Sequence, residues 1–342
     1  MEYAHLKEMY KIEGDKVDME MYRRLKDEKL IQICNHPTLP LSILNYTART
    51  NYNREKWNKH LLIARGLVVD NNAQIIARPL PKFFNESEIT RTIPTQQFDV
   101  CEKMDGSLII MFFFNGTSFF CTRRSFTSEQ ALKAEKIYRL KYKNVEVDKE
   151  YTYCFEIIYP ENRIVVNYKS EEDIFLLAKI HTKTGKEKSV SDCGFRTAKK
   201  VDKFKSLEEL KKLDIENKEG FVVRFTDNNF RIKIKFKTYV HLHKFGNLSY
   251  EKVLNFLKKG EEVPIENIPD EAYEEIKILI KNITRQYECK EEAYIKKCKN
   301  IVKNTRGETE IIVEIKRSLN QSILFAIHRG KPYKHLIWKE VN

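Results

Sequence analysis

Glu102-Lys103-Met104-Asp105-Gly106-Ser107 lies between an apolar approach, Phe98 and Val100, and the unusually apolar run Leu108–Phe114. A lysine at the edge of a buried strand has two readings. In one, Asp105-Gly106 is a turn beside a solvated lysine. In the other, Lys103 is a nucleophile, whose amine attacks phosphorus only when unprotonated and therefore needs neighbouring positive charge or desolvation. Gly106 would then let the backbone approach a ligand closely or take a positive φ, and Asp105 would offer a carboxylate for orientation or for a metal ion.

Neighbouring charge is abundant. The 342 residues carry 62 Lys+Arg against 49 Asp+Glu, a formal charge of +13, and ten of these thirteen excess charges fall in residues 1–244. Such a balance favours a polyanionic partner: nucleic acid, nucleotide or acidic membrane. The length suits two domains, or one catalytic domain with an appendage, and 42% hydrophobic content excludes a disordered chain. Seven scattered cysteines without a Cys-x-x-Cys pair suggest neither a disulfide framework nor a structural zinc site, and fit a reducing cytosol. The polar N-terminus lacks a signal-peptide core and no run is long enough to cross a bilayer. The expectation is a cytoplasmic protein, with viral or phage origin as one option.

N-terminal to the lysine, residues 15–33 read as a helix and Leu41–Tyr46 as a short strand. Leu61–Asp70 and Gln74–Pro79 read as a hairpin around Asn71-Asn72, carrying Arg65, Arg78 and, just beyond, Lys82-Phe83-Phe84. Each cation either snorkels to solvent or contacts phosphate. C-terminal to it, Asn115-Gly116 turns the apolar strand back to Arg123-Arg124-Ser125. Ser128 can cap a helix through Tyr142, with Leu132, Ile137 and Leu140 as its apolar stripe.

Glu156 interrupts the apolar strand Tyr151–Ile158, which costs stability unless the carboxylate is exposed, paired or liganded. Further strands follow at Ile174–Ile180 and at Glu219-Gly220–Phe225. In Phe230–Lys237, strict alternation puts Arg231, Lys233, Lys235 and Lys237 on one face, either a solvated surface or a positive wall facing a polyphosphate. From Ser249 onward the pattern is helical: a capped helix to Lys259, a linker with Pro264 and Pro269, a long charged helix from Asp270, and Glu308–Leu324.

In order, the chain presents Arg65-Gly66, Lys82-Phe83-Phe84, Lys103-x-Asp105-Gly106, Arg123, Phe155-Glu156, Glu219-Gly220 and Lys233-x-Lys235. That series resembles the covalent nucleotidyltransferases: ATP-dependent RNA and DNA ligases and messenger-RNA capping enzymes. Ala77-Arg78-Pro79, Ser128–Leu132, Pro160-x-Asn162-Arg163-Ile164-Val165, Tyr239-Val240 and Leu242-His243 carry a closer likeness, to the RNA ligase 1 family of T-even phages, whose members seal broken transfer RNA.

The resemblance implies an α+β fold: a nucleotidyltransferase (ATP-grasp-like ligase) domain with antiparallel sheets over residues 1–244, and a small helical domain over 245–342. It implies an ATP-dependent RNA ligase acting with Mg2+ or Mn2+ on 5′-phosphate and 3′-hydroxyl RNA ends, with transfer RNA as one substrate and a separate end-healing kinase/phosphatase as a partner. Lys103 would become adenylated. Lys233 and Lys235 would contact the α-phosphate region and favour the reactive amine. Glu219 would join the catalytic set; Glu156, Glu219 and Asp105 would hold metal or ribose. Arg65, Lys82, Phe84, Glu102, Asp105, Gly106, Arg123 and Glu156 would line the nucleotide site.

One departure stands out: the family's Ser-Lys-Gly-Ser is Thr122-Arg123-Arg124-Ser125 here, so an arginine replaces a glycine. Two rivals remain. A non-catalytic RNA-binding or end-sensing protein would need none of this residue combination. A GTP-using capping enzyme would be expected to continue into a β-barrel after Lys235.

Overall fold

The computed structural model describes residues 14–52, 56–89, 97–240, 250–263 and 273–341. The chain divides into two compact units, Met1–His243 and Lys244–Asn342.

Three sheets make up the first unit. β1 (Ile31–Asn35), β2 (Leu41–Tyr46), β3 (Arg65–Asp70) and β4 (Ile75–Ala77) form an antiparallel sheet in that order. The chain then runs through β5 (Phe84–Asn85) and β6 (Phe98–Glu102) into β7 (Ser107–Phe114), β8 (Thr117–Cys121), β9 (Tyr151–Ile158), β10 (Asp173–His181) and β11 (Glu187–Lys188). These last five pair antiparallel in the order β11-β10-β9-β7-β8. β12 (Gly220–Phe225) and β13 (Arg231–Lys235) return to β6 and β5, in the order β5-β13-β12-β6. Among the strand pairs of the described residues, only β13–β5 is parallel; Leu176 and Thr197 add an isolated parallel bridge.

The first sheet is buried on both faces, which is why Leu67-Val68-Val69 is apolar without alternation. Leu44, Leu67 and Val69 pack with Phe221, Val223, Ile232 and Ile234 of the third sheet. Ile43, Val68 and Ala77 face Ile110 and Phe112 of the second. Residues 102–107 are therefore the crossing between two sheets: β6 belongs to one and β7 to the other.

Several expected elements differ. The first helix is only Met19–Asp27, capped by the Asp18 carboxylate on Met21 N; Lys29, at φ 59°, ends it, and Ile31 begins a strand against Tyr46. Lys59–Ile63 is a helical turn, not strand, because the Asn58 side chain accepts from His60 N and Leu61 N. The helix after Ser128 buries Ala131, Ala134 and Ile137, whereas Leu132 and Leu140 are exposed; the small alanines let it lie close to the sheet. The stretch Glu308–Leu324 is two helices, Glu308–Arg317 and Gln321–His328, broken at Asn320 with φ 62°.

The second unit is helical throughout its described residues: Tyr250–Lys259, Tyr273–Asn304, Glu308–Arg317, Gln321–His328 and Lys334–Ile337, with a short 3-10 turn. No β-barrel follows β13 there. The expected Ser249 cap, the Pro264/Pro269 linker, the Asp270 helix start and Leu242-His243 lie outside the described residues. No described helix is long and apolar enough to cross a membrane.

Candidate active site

Lys103 leaves the end of β6 with its backbone N–H donating to Gly220 O at 2.9 Å, so the lysine is pinned beside the start of β12. Gly220 pairs with Lys235, and Glu219 directly precedes it. The register thus delivers three side chains to one point. Lys103 Nζ donates to Glu219 Oε2 at 2.8 Å, and Lys235 Nζ lies 3.2 Å from Glu219 Oε1. Glu219 is buried; burial alone would raise its carboxyl, but the Lys103 and Lys235 ammoniums outweigh that and hold it below its ordinary value.

Glu156 arrives from the second sheet. β9 pairs with β7 so that Glu156 stands opposite Leu108, and its Oε1 accepts from Gly106 N at 3.1 Å. Burial pushes its carboxyl up to about 7, reinforced by the negative Glu219 and opposed by Lys103, Arg65 and the Gly106 N–H. Glu156 therefore shares the electrostatic environment of Lys103, Glu219 and Arg65.

A second group of cations sits between the first and third sheets. Arg65 and Lys233 approach the Phe83 ring, at 5.8 and 5.4 Å from its centroid. Burial lowers the Arg65 guanidinium's pKa, and nearby Arg123 adds to the effect. Arg123 donates to Tyr46 Oη at 3.0 Å. Lys82 is deeply buried in a cage of Tyr46, Trp57 and Phe84, its ammonium 5.4–5.8 Å from the three centroids. Gly66, at φ 87°, admits this crowding, since a Cβ there would lie 3.0 Å from Arg123 Cα.

Other expected site residues are placed differently. Asp105 is an anchor: Oδ2 accepts from Val165 N at 2.9 Å and Val166 N at 2.8 Å, and Oδ1 from Tyr239 Oη at 2.7 Å. Gly106 is demanded by β9, not by a positive φ, because a Cβ would fall 2.3 Å from Ile157 O. Glu102 pairs with Lys218 at 2.9 Å. Both rings of the pair meet cations: Phe83 faces Arg65 and Lys233, and the buried Phe84 is a wall of the Lys82 cage. The wall of four cations is reduced: Arg231 is bound to Glu187, and Lys237 falls beyond the end of β13. Arg124 has no left-handed backbone, so no glycine is required there.

Tyr46, Trp57, Phe83, Tyr168 and Tyr239 escaped the sequence reading as site residues. The available signals were Phe83, within Lys82-Phe83-Phe84, and Tyr239, within Tyr239-Val240; Tyr239 lies under Lys235 at 5.5 Å and bonds Asp105. Among the described residues no three His, Cys, Asp or Glu side chains cluster as a ready metal site.

The profile of an RNA ligase family, RNA_lig_T4_1, matches residues 63–241, more than half of the chain and every residue of the Lys103–Glu156–Glu219–Lys235 group. A protein of Autographa californica nuclear polyhedrosis virus, named a bifunctional polynucleotide kinase/RNA ligase, is 27% identical over 257 residues, covering 65% of this chain and 36% of its own length. A protein of Thermovibrio ammonificans named as an RNA ligase is 27% identical over 258 residues, covering 70% of this chain and 63% of that protein. The chain thus spans about a third of one relative and just under two thirds of the other. Among solved structures, an ATP-dependent DNA ligase from Aquifex aeolicus superposes with a TM-score of 0.48 at 16% identity, covering 81% of each chain. By the profile match, this chain belongs to the T4-type RNA ligase family.

Proposed function

We propose that this chain is an ATP-dependent RNA ligase that joins a 5′-phosphate to a 3′-hydroxyl through a lysyl-AMP and an RNA-adenylate. The observation that carries the reading is the buried Glu219 held between Lys103 and Lys235 at the crossing of two sheets. A buried carboxylate flanked by two ammoniums fixes both in place, and phosphoryl transfer depends chiefly on such positioning and charge.

In the first step the Lys103 Nζ lone pair forms a bond to the α-phosphorus, and the bond to the leaving pyrophosphate oxygen breaks with its electron pair. Glu219, 2.8 Å from Nζ, would orient the lysine, which attacks as the neutral amine once its ammonium proton has passed to solvent. Lys235 and Lys233 neutralise charge growing on the phosphate; Arg65, Arg123 and Lys82 attract the polyphosphate tail. An RNA 5′-phosphate oxygen then takes the AMP and frees Lys103. Finally a 3′-hydroxyl oxygen attacks the RNA 5′-phosphorus, expelling AMP and closing the strand.

Glu156 would hold a Mg2+ or Mn2+ ion, and Glu219 would join it on giving up one of its two ammonium contacts. A buried carboxyl held at about 7 gains from an arriving cation, and magnesium binds through one or two carboxylates plus substrate phosphates. Such an ion would neutralise phosphate charge. Asp105 acts beside them as a positioning residue. RNA repair is the setting we infer, with transfer RNA among the substrates, and a kinase/phosphatase activity outside this chain would prepare its ends.

Incubation with magnesium and α-labelled ATP or GTP, a denaturing gel and peptide mapping test this. Label from ATP on Lys103, transferred to 5′-phosphorylated RNA, is expected. Retained adduct in Lys103→Ala, or label from GTP alone, overturns it.

A further inference from the structure

The Lys103 loop contributes Asp105 to the wall of a cavity of about 180 Å3, whose other walls include Tyr159, Asn162, Arg163, Tyr168, Lys169 and Glu171. Its rim is positive. Glu171 is neutralised by a two-pronged contact with Arg196, at 2.7 and 3.2 Å. Arg163 bonds only its own loop, at Val165 O, and the exposed Lys169 ammonium has no ion-pair partner among the described residues. Two cations thus stand over a hollow with tyrosine in its walls and an asparagine amide at its edge.

The segment that carries both cations is tied to the candidate active site from two sides. Asp105 takes the amides of Val165 and Val166, and its own N–H donates to Tyr168 Oη at 2.9 Å. On the other side Asn167 and Asn217 exchange hydrogen bonds, Asn167 N to Asn217 Oδ1 at 2.7 Å and Asn217 Nδ2 to Asn167 O at 3.0 Å. Asn217 stands two residues before Glu219. Lys169 is at φ 60°, an uncommon left-handed backbone for a lysine. Asn162 joins the same frame by a hydrogen bond to Ser107 Oγ at 3.0 Å, with Gln130 donating to its Oδ1 at 3.3 Å.

We propose that this cavity, flanked by Arg163 and Lys169, seats one nucleotide of the RNA strand next to the end being sealed. The cavity is smaller than the roughly 300–1,000 Å3 of a drug-sized ligand pocket, so it takes one ring system while the phosphate stays at the rim. A base gains stacking on tyrosine, and the phosphate gains two cations. Because residues 163–169 bond both the Lys103 loop and the loop before Glu219, a strand seated here is held in fixed register with the nucleophile. The proposal rests on the ligase reading for the chemistry but on the cavity alone for binding.

The test is Arg163→Ala/Lys169→Ala in the full chain, assayed with α-labelled ATP and with a short single-stranded RNA bearing 5′-phosphate and 3′-hydroxyl. Adenylation at the parental rate shows the fold and nucleotide site intact. RNA affinity is expected to fall about tenfold, with the salt slope reduced by about one to two phosphate contacts, and the KM for RNA to rise more than kcat falls. Arg163→Lys/Lys169→Arg is expected to restore binding. RNA carrying 4-thiouridine should crosslink to the peptide spanning Tyr159 to Lys169. Unchanged RNA affinity and salt slope in the alanine pair overturn the proposal. If the parental chain forms no lysyl-AMP, the ligase reading fails, and the RNA-binding comparison still decides the cavity.

Discussion

Lys103 Nζ stands 2.8 Å from Glu219 Oε2 although the two residues are 116 positions apart in the chain. The buried carboxylate is the common counter-charge of Lys103 and Lys235, so each ammonium is placed by the same group. Replacing Lys103 by Ala is expected to abolish adenylate formation, and Glu219→Ala to lower it by at least two orders of magnitude, the scale of losing a positioned electrostatic group. Labelled-ATP transfer measures both, with circular dichroism reporting the fold. Near-parental adenylation in Glu219→Ala would remove that residue from the catalytic set.

The two carboxylates respond oppositely to pH. Glu156 is raised from 4.5 to about 7, so the folded state binds its proton more tightly than the unfolded one. Its contribution to stability is complete below about pH 4.5 and is lost as pH rises through 7. Glu219 is lowered by its two ammoniums, so its contribution is present above its ordinary value and is lost as pH falls. Thermal melts of Glu156→Gln against the parent should therefore show a stability gain that appears between pH 5 and 7 and levels off above about pH 7. The same variant should lose adenylation. A melting difference independent of pH would contradict the placement of Glu156.

Gly220 has no room for a side chain. A Cβ there would lie 2.1 Å from Ile234 O and 2.8 Å from Lys235 Cα, and φ is 147°. Gly220→Ala must push β12 from β13 at the residue pair that positions Lys235. A loss of about 1–3 kcal/mol in denaturant unfolding is expected, typical of overpacking, together with a larger fall in adenylation. Equal stability would show that the strands can part without strain.

Tyr46 touches two of the cations proposed to attract the polyphosphate tail, Arg123 through its hydroxyl and Lys82 through its ring. Tyr46→Phe keeps the ring and removes the acceptor. The KM for ATP should rise with little change in melting temperature, whereas Trp57→Ala, which empties a buried position in the Lys82 cage, should cost about 3–5 kcal/mol. Steady-state adenylation and thermal unfolding separate the two effects.

Arg124→Gly introduces the glycine that the resemblance implies at this position. Because Arg124 is not in a left-handed conformation, the change should bring no gain in adenylation and a loss of about 0.5–1 kcal/mol from backbone entropy. A clear rise in activity would show that the loop at 122–125 needs conformational freedom during the reaction.

The sequence by itself determined the strands around the nucleophile, the turn at Asn115-Gly116, the helix after Ser128 and the helical pattern of the C-terminal part, all from local rules: period-two apolar runs, turn residues and a cap. Lys103, Glu156, Glu219 and Lys235 stood out as a set only through the resemblance to the covalent nucleotidyltransferases. Tertiary structure alone decided which cations serve the site. Arg231 and Lys235 alternate identically in β13, yet one meets Glu187 of the second sheet and the other Glu219, just before the hairpin partner β12. It also turned Asp105 from a candidate ligand into the anchor of Val165 and Val166, and Gly106 into a close contact with β9. The physical reason is that a charge's role depends on which opposite charge or amide reaches it in a buried place. That is set by sheet pairing across more than a hundred residues, which side-chain chemistry along one strand does not encode.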